Sequence, residues 1–207
     1  MTIRVLLADD ENLIREALAQ MLGLEDDLEV VAQAASGSEA LAVALKVRPD
    51  VAVLDLQMPG RDGAGLDGIE VAEELGSRLP GCACVIVTSH GRPGHLKRAL
   101  AAGVRGFLPK TSSAATLAEV VRTVHRGGRH VDPELAAEAI SAGDSPLTPR
   151  ESDVLELAAD GAPVEEIARR AALSPGTVRN YLSSAVTKLG AANRHDACAT
   201  ARRMGWI

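Results

Sequence analysis

Five polar residues stand at the ends of four short apolar runs, and their types suit the handling of a phosphoryl group. Asp9 and Asp10 follow Ile3-Arg-Val-Leu-Leu-Ala8, Asp55 closes Val51-Ala-Val-Leu54, Thr88 closes Val85-Ile-Val87, and Lys110 follows Gly106-Phe-Leu-Pro109. Each sits where a buried strand would stop. In a parallel sheet the carboxyl ends of the strands share one edge, so this order gathers three carboxylates, one hydroxyl and one ammonium into a single crevice. Three crowded acids call for a cation to offset their repulsion, and hard oxygen ligands with open positions suit Mg²⁺. With a lysine and a threonine nearby, Asp55 reads as the group that takes a phosphoryl group as an acyl phosphate. An acidic pair after a strand is also the mark of a helix N-cap, and taken alone Asp10 has that reading open to it.

These residues need a scaffold, and the intervening sequence supplies its pattern. Leu13, Ile14, Ala17, Leu18 and Met21 form one helical stripe, Leu117, Val120, Val121 and Val124 another, with weaker stripes near 37–47, 69–79 and 93–102. Five strands alternating with five helices predict a doubly wound α/β domain with a parallel five-stranded sheet over residues 1–125. After His125, Arg126-Gly-Gly-Arg129 and Asp132-Pro133 lead into a short Ala/Glu-rich helix that ends at Ser141-Ala-Gly-Asp-Ser-Pro146, so residues 126–146 read as a linker. Residues 147–207 show no strand pattern and predict an all-α domain of four helices beginning near Pro149, Pro163, Ser174 and Asn193.

Composition fits two small domains. Of 207 residues, 46% are hydrophobic and 24% charged, an ordinary balance for a globular protein, and no apolar run approaches the ~20 residues that span a bilayer. The N-terminus enters a strand at once, so no signal peptide is expected. Cys82, Cys84 and Cys198 have neither a disulfide framework nor zinc-site spacing, and Cys82 and Cys84 read as small buried residues at the start of a strand, in keeping with a reducing cytoplasm. The net charge of −6 is uneven: residues 1–146 carry 14 Lys/Arg and 21 Asp/Glu, a net −7, and residues 147–207 carry 8 and 7, a net +1. Only the second segment is permissive for nucleic acid, and contact there must depend on local placement of charge.

That placement is found in the third helix of the second segment. Ser174-Pro-Gly-Thr177 is a helix start with Ser174 as N-cap and Pro175 in the first turn. Val178, Leu182, Ala185, Val186 and Leu189 then make an apolar face, leaving Arg179, Asn180, Ser183 and Thr187 opposite. A short turn, Ala172-Leu-Ser174, joins it to Glu165-Glu-Ile-Ala-Arg-Arg170, a helix-turn-helix in which the second helix would lie in the major groove. Arg and Asn suit bidentate contacts to guanine and adenine, although a plain solvated face has the same pattern.

Taken together, the first segment resembles the receiver domain of bacterial two-component response regulators, which has a flavodoxin-like fold. The second, through Leu147-Thr-Pro-Arg-Glu151, Glu166-Ile-Ala168, Ser174-Pro-Gly-Thr-Val178, Lys188-Leu-Gly190 and Asn193-Arg194, resembles the DNA-binding domain of the LuxR-type NarL/FixJ class. The resemblance covers nearly the whole chain. It implies Asp55 as phospho-acceptor, Asp9, Asp10, Asp55 and the backbone carbonyl of Gln57 as Mg²⁺ ligands, Thr88 as switch hydroxyl, Phe107 as switch aromatic and Lys110 as the phosphate-contacting lysine. It also implies base contacts from Arg179, Asn180 and Ser183, phosphate contacts from Thr177 and Lys188, and a dimer contact through a final helix, Asn193 to Met204. In that helix Ala197 and Ala201 would permit close approach or pack inward. The partners implied are a histidine kinase, double-stranded promoter DNA and, on phosphorylation, a second copy of the chain, with no membrane and a cytoplasmic location.

Three features depart from the family pattern. Asp-Gly occurs twice after Asp55, at 62–63 and 67–68, so the loop over 60–68 reads as about five residues longer than usual, with four glycines. Ser89 stands where receivers carry Ala or Gly, and Tyr181 where the DNA-binding class more often has His. Among the five histidines, only His90 lies next to the phosphoryl site.

Two other functions compete with a phosphorylation-switched transcription regulator. An enzyme with an aspartyl nucleophile, such as a phosphatase, would need a substrate-binding cap and a second acid/base carboxylate, where this chain offers a helix-turn-helix; an enzyme is not expected. A regulator that binds DNA constitutively or under ligand control, with a silent receiver, stays open and is separated by the behaviour of Asp55→Asn.

Overall fold

The protein is described by a computed structural model covering residues 2–58, 66–89, 93–141, 145–159 and 161–207. It divides into two compact units, the first made mainly of residues up to Pro133 and the second mainly of residues from Glu134 onward.

In the first unit, strands and helices alternate: β1 (Ile3–Ala8), α1 (Asn12–Leu22), β2 (Leu28–Ala34), α2 (Gly37–Val47), β3 (Val51–Asp55), α3 (Gly68–Arg78), β4 (Ala83–Thr88), α4 (Pro93–Ala101), β5 (Gly106–Pro109), α5 (Ala114–His125) and β6 (His130–Val131). All strand pairings are parallel, in the order β2-β1-β3-β4-β5-β6. The parallel α/β sheet agrees with the sequence reading, and β6 extends the expected five strands to six. Its two residues lie in the stretch read as linker and pair with Gly106 and Phe107. Two residues are too short to show any alternation, so only the neighbouring strand defines them.

The central strands are buried on both faces, which explains their near-continuous apolar runs, interrupted only by Arg4 in β1. Ile3, Val5, Leu7, Val51, Val53, Val85, Val87 and Leu108 pack on one face with Leu22 of α1 and Leu117, Val120, Val121 and Val124 of α5. In α1 the structure corrects the expected stripe. Leu22 is buried, and Leu18 and Ala19 pack against the core, whereas Leu13 is 82% and Met21 48% exposed. Two apolar rows offset by one residue run along this helix, and the sheet takes the row of Ile14, Leu18 and Leu22.

Between Asp55 and α3, the second of the two Asp-Gly pairs starts the helix. Asp67 is the N-cap: its side chain accepts from the Glu70 N–H at 2.7 Å, and the Glu70 carboxylate accepts from the Asp67 N–H at 2.8 Å. The first pair, Asp62-Gly63, and most of the loop over 60–68 lie outside the described residues, as does His90.

The second unit holds α6 (Pro133–Ser141), α7 (Pro149–Ala159), α8 (Val164–Ala171), α9 (Pro175–Lys188) and α10 (Arg194–Arg203). The last four match the expected helices. Their core joins Val154, Leu155, Ile167, Val178, Leu182 and Ala185 with Ala197, Cys198 and Ala201 of α10. Ala197 and Ala201 are fully buried in it, so they pack inward and offer no surface for a dimer contact. All three cysteines are free and buried, and no described helix is long and apolar enough to cross a membrane.

Candidate functional site

The parallel register brings the first group of residues together. Ala8 lies beside Leu54, Asp55 beside Val87, and Thr88 beside Pro109, so β1, β3, β4 and β5 end along one edge. Strand order reverses direction between β1 and β3, the position at which an open α/β sheet forms a crevice. Asp9, Asp10 and Asp55 converge there, each with a ligand oxygen within 4.8 Å of the others. The cap of α1 is Glu11, whose side chain makes no capping bond, and the Glu11 N–H instead donates to Asp9 Oδ1 at 2.9 Å. Asp10 therefore does not cap the helix.

Lys110 closes the crevice from the far side. Its Nζ lies 2.8 Å from Asp9 Oδ2, 3.1 Å from Glu11 Oε1 and 3.2 Å from Asp55 Oδ2, and its side chain is only 10% exposed. Its backbone N–H donates to the Thr88 carbonyl at 2.7 Å, which ties the lysine to the end of β4. Thr88 itself is buried. Phe107, fully buried, is the largest enclosed side chain among the described residues and neighbours Ile86 in register. Gln57 is exposed two residues beyond Asp55.

Electrostatics follow from this crowding. Burial pushes the Asp55 carboxyl up to about 7; Lys110 opposes the shift, and Asp9 and Asp10 add to it. Burial and then the charge of Asp9 also raise Asp10. Burial works to lower Lys110, but its hydrogen bond to Asp9 and the charges of Asp55 and Asp9 outweigh that and hold it above the ordinary lysine range. One ammonium among three carboxylates and Glu11 leaves an excess of negative charge that fits a divalent cation with oxygen ligands. What the cluster can do is present a carboxylate oxygen to an electrophile beside a fixed ammonium donor.

The second group lies along one side of α9. Ser174 caps the helix, accepting from the Thr177 N–H at 3.1 Å, with Pro175 at its start. Arg179, Asn180, Ser183, Thr187 and Lys188 are exposed, while Val178, Leu182 and Ala185 are buried beneath them. Thr177 is half-buried and its hydroxyl bonds Ser174 Oγ at 2.8 Å. Arg179 Nη2 approaches Glu165 Oε1 of α8 at 3.4 Å. The turn between α8 and α9 runs through Ala172 in the left-handed region, at φ 53°.

Glu151 is a working residue of this unit to which the sequence reading assigned no role beyond its motif. It is buried, accepts from the Thr148 N–H at 2.6 Å, Ser184 Oγ at 2.5 Å and Lys188 Nζ at 2.7 Å, and so fastens the first turn of α7 to α9. Burial opposes its ionisation, but the hydrogen bonds from Lys188, Ser184 and Thr148 prevail and hold its carboxyl down at about 2. Thr148 three residues before Glu151 is a capping-box signature, and that spacing was the available signal. Glu11 was missed as well; its only sign in sequence is a third acid directly after Asp9-Asp10.

Comparison with known proteins agrees with both halves. Residues 5–122 match the response regulator receiver domain, and residues 145–201 match the bacterial regulatory proteins of the luxR family. The transcriptional regulatory protein DesR of Bacillus subtilis is 41% identical over 205 residues, covering 99% of each chain. The transcriptional regulatory protein UhpA of Escherichia coli is 42% identical over 207 residues, covering 99% of this chain and 100% of UhpA. Among solved structures, the RcsB response regulator of Salmonella typhimurium, described for its conformational dynamism in DNA interaction, superposes with a TM-score of 0.73 at 26% identity, covering 99% of this chain and 98% of RcsB.

Proposed function

Because this chain belongs to the two-component response regulators that join a receiver domain to a luxR-family DNA-binding domain, we propose that it controls transcription through phosphorylation of Asp55 by a partner histidine kinase. The observation that carries the proposal is the convergence of Asp9, Asp10 and Asp55 within 4.8 Å, with Lys110 Nζ 3.2 Å from Asp55. Ionised Asp55 attacks phosphorus, the bond to the kinase imidazole breaks, and the phosphoryl group remains on the aspartate as an acyl phosphate. Asp9, Asp10, Asp55 and the Gln57 carbonyl would hold Mg²⁺, which supplies charge neutralisation for the incoming phosphoryl oxygens. Lys110 then exchanges its contact with the carboxylate for one with a phosphoryl oxygen. Thr88, at the end of β4, turns its hydroxyl to the same group. Phe107 is already enclosed, so its part in the switch is a rearrangement within the core rather than entry from solvent.

Downstream, the exposed row on α9 suits the major groove, with Arg179, Asn180 and Ser183 toward base edges and Thr177 and Lys188 toward phosphates. Lys188 reaches phosphate while anchored by Glu151. A domain carrying a net charge of +1 gains affinity when two copies read two half-sites, which is what phosphorylation-dependent pairing provides. Domain limits of 1–125, 126–146 and 147–207 and a cytoplasmic location accompany this reading.

The test follows DNA binding and oligomeric state together, with and without a small phosphodonor and Mg²⁺, using genomic fragments to select the site. Phosphodonor should raise both dimer fraction and specific binding, and Asp55→Asn should abolish the response. Strong binding indifferent to phosphodonor would establish a silent receiver instead.

A further inference from the structure

Three carboxylates share the Lys110 ammonium, and only one of them stands outside the acidic cluster. Asp9 and Asp55 belong to the group whose oxygens lie within 4.8 Å of one another, with Asp10; Glu11 does not. Asp9 and Asp55, if they held a divalent cation, would have less charge to offer the neighbouring ammonium, so their hold on Lys110 would weaken. The Glu11 contact, at 3.1 Å, draws on neither of those carboxylates. Glu11 occupies the N-cap position of α1, its side chain makes no bond to the helix's first N–H groups, and it reaches across to Lys110. It is also 56% exposed, at the rim, where an incoming phosphoryl group would not need to displace it.

We propose that Glu11 is a positioning residue that keeps the Lys110 ammonium over Asp55 while the acidic pocket is engaged, so that the donor is in place before the phosphoryl group arrives. The inference rests on Asp55 being the phospho-acceptor. A merely electrostatic role predicts something different: an extra negative charge at the mouth would repel an anionic phosphodonor and raise the concentration needed for half-saturation without changing the maximal rate.

The experiment measures phosphorylation of the full chain by acetyl phosphate with Mg²⁺, using intact mass to follow the product over a range of donor concentrations. Wild type, Glu11→Gln and Glu11→Asp are compared, with Asp55→Asn as the control for site. In metal-free protein, the side-chain ¹⁵N resonance of the Lys110 ammonium is recorded in the same set. The maximal rate is expected to fall about fivefold in both Glu11 variants, the upper scale of one lost solvent-exposed ion pair, because Asp keeps the charge but loses the reach. The Lys110 resonance should shift or broaden in both. A Glu11→Asp variant that behaves as wild type, an unchanged maximal rate in Glu11→Gln, or an unmoved Lys110 resonance would overturn the positioning role while leaving the phospho-acceptor reading intact. Wild type that gains no phosphoryl mass, or gains it equally in Asp55→Asn, would overturn that reading and this one with it.

Discussion

A Cβ placed on Gly68 would stand 2.2 Å from the carbonyl oxygen of Asp55. The first residue of α3 therefore lies directly on the backbone of the proposed phospho-acceptor, and its N–H donates to the next carbonyl, Leu56, at 3.0 Å. No side chain fits there without moving one backbone segment against the other. Gly68→Ala should destabilise the first unit by about 1–3 kcal/mol in urea unfolding and slow phosphorylation of Asp55. Wild-type stability in that variant would show that the two segments separate freely.

Asp55 makes stability depend on pH in a direction opposite to most carboxylates. Its value in the fold, about 7, lies above the ordinary 3.8, so the favourable contribution is complete below 3.8 and is lost as pH rises through 7. Asp55→Asn removes that cost and leaves Lys110 with Asp9 and Glu11. The metal-free variant should then be more stable than wild type at pH 8 by roughly 2 kcal/mol, with the gain shrinking as pH falls from 7 toward 4. Equal thermal stability at pH 8 would refute the buried-charge account.

Protons and Mg²⁺ compete for the same oxygens. Added Mg²⁺ should raise the melting temperature at pH 8, by an amount equivalent to about 2.7 kcal/mol at one hundred times its dissociation constant. The rise should fade below pH 7 as Asp55 takes up a proton, and Asp9→Asn should remove most of it at any pH. A Mg²⁺ effect of the same size at pH 5.5 and pH 8 would argue for binding elsewhere.

Glu151 sets the acid limit of the second unit. Its carboxyl is held at about 2, below the ordinary 4.5, so its contribution is complete above pH 4.5 and disappears as pH falls through 2. Glu151→Gln keeps the shape but loses the charge that Lys188 and Ser184 address, and should cost about 2 kcal/mol at pH 7. The difference from wild type should narrow below pH 4; a constant difference from pH 7 to pH 2.5 would assign the loss to packing.

The turn of the helix-turn-helix carries local strain that glycine would relieve. Ala172 is exposed and adopts φ 53°, a conformation that costs an L-residue roughly 1 kcal/mol. Ala172→Gly should raise the melting temperature of the second unit, and Ala172→Val should lower it. A lower melting temperature for the glycine variant would mean that the freedom glycine gains in the unfolded chain outweighs the strain it removes.

Much of this architecture can be read from residue order because burial imposes periodicity. The apolar runs before Asp9, Asp55, Thr88 and Lys110 are interrupted only by Arg4 since both faces of the sheet are covered, and a parallel sheet has one carboxyl edge. Ser174, Pro175 and the spacing of Val178, Leu182 and Ala185 likewise mark α9 through local backbone chemistry and a helical period. Those signals act within a few residues, so the chain's order alone determined the element types, the two-part organisation and the set of residues able to meet at the edge of the sheet.

Packing decided what local signals leave degenerate. Ile14 and Leu13 belong to rival apolar rows one residue apart, and only the sheet beneath α1 selects the first. Ala197 and Ala201 are small enough for either a partner or the core, and the core takes them. His130 and Val131 become a strand only because β5 offers a free edge. The second Asp-Gly pair starts α3, with Gly68 set against the Asp55 backbone. The farthest partners of Lys110 and Glu151, Asp9 and Lys188, lie 101 and 37 residues away in sequence; a charge finds such partners through the folded backbone, and no periodicity along the chain encodes a distance of 3 Å across it.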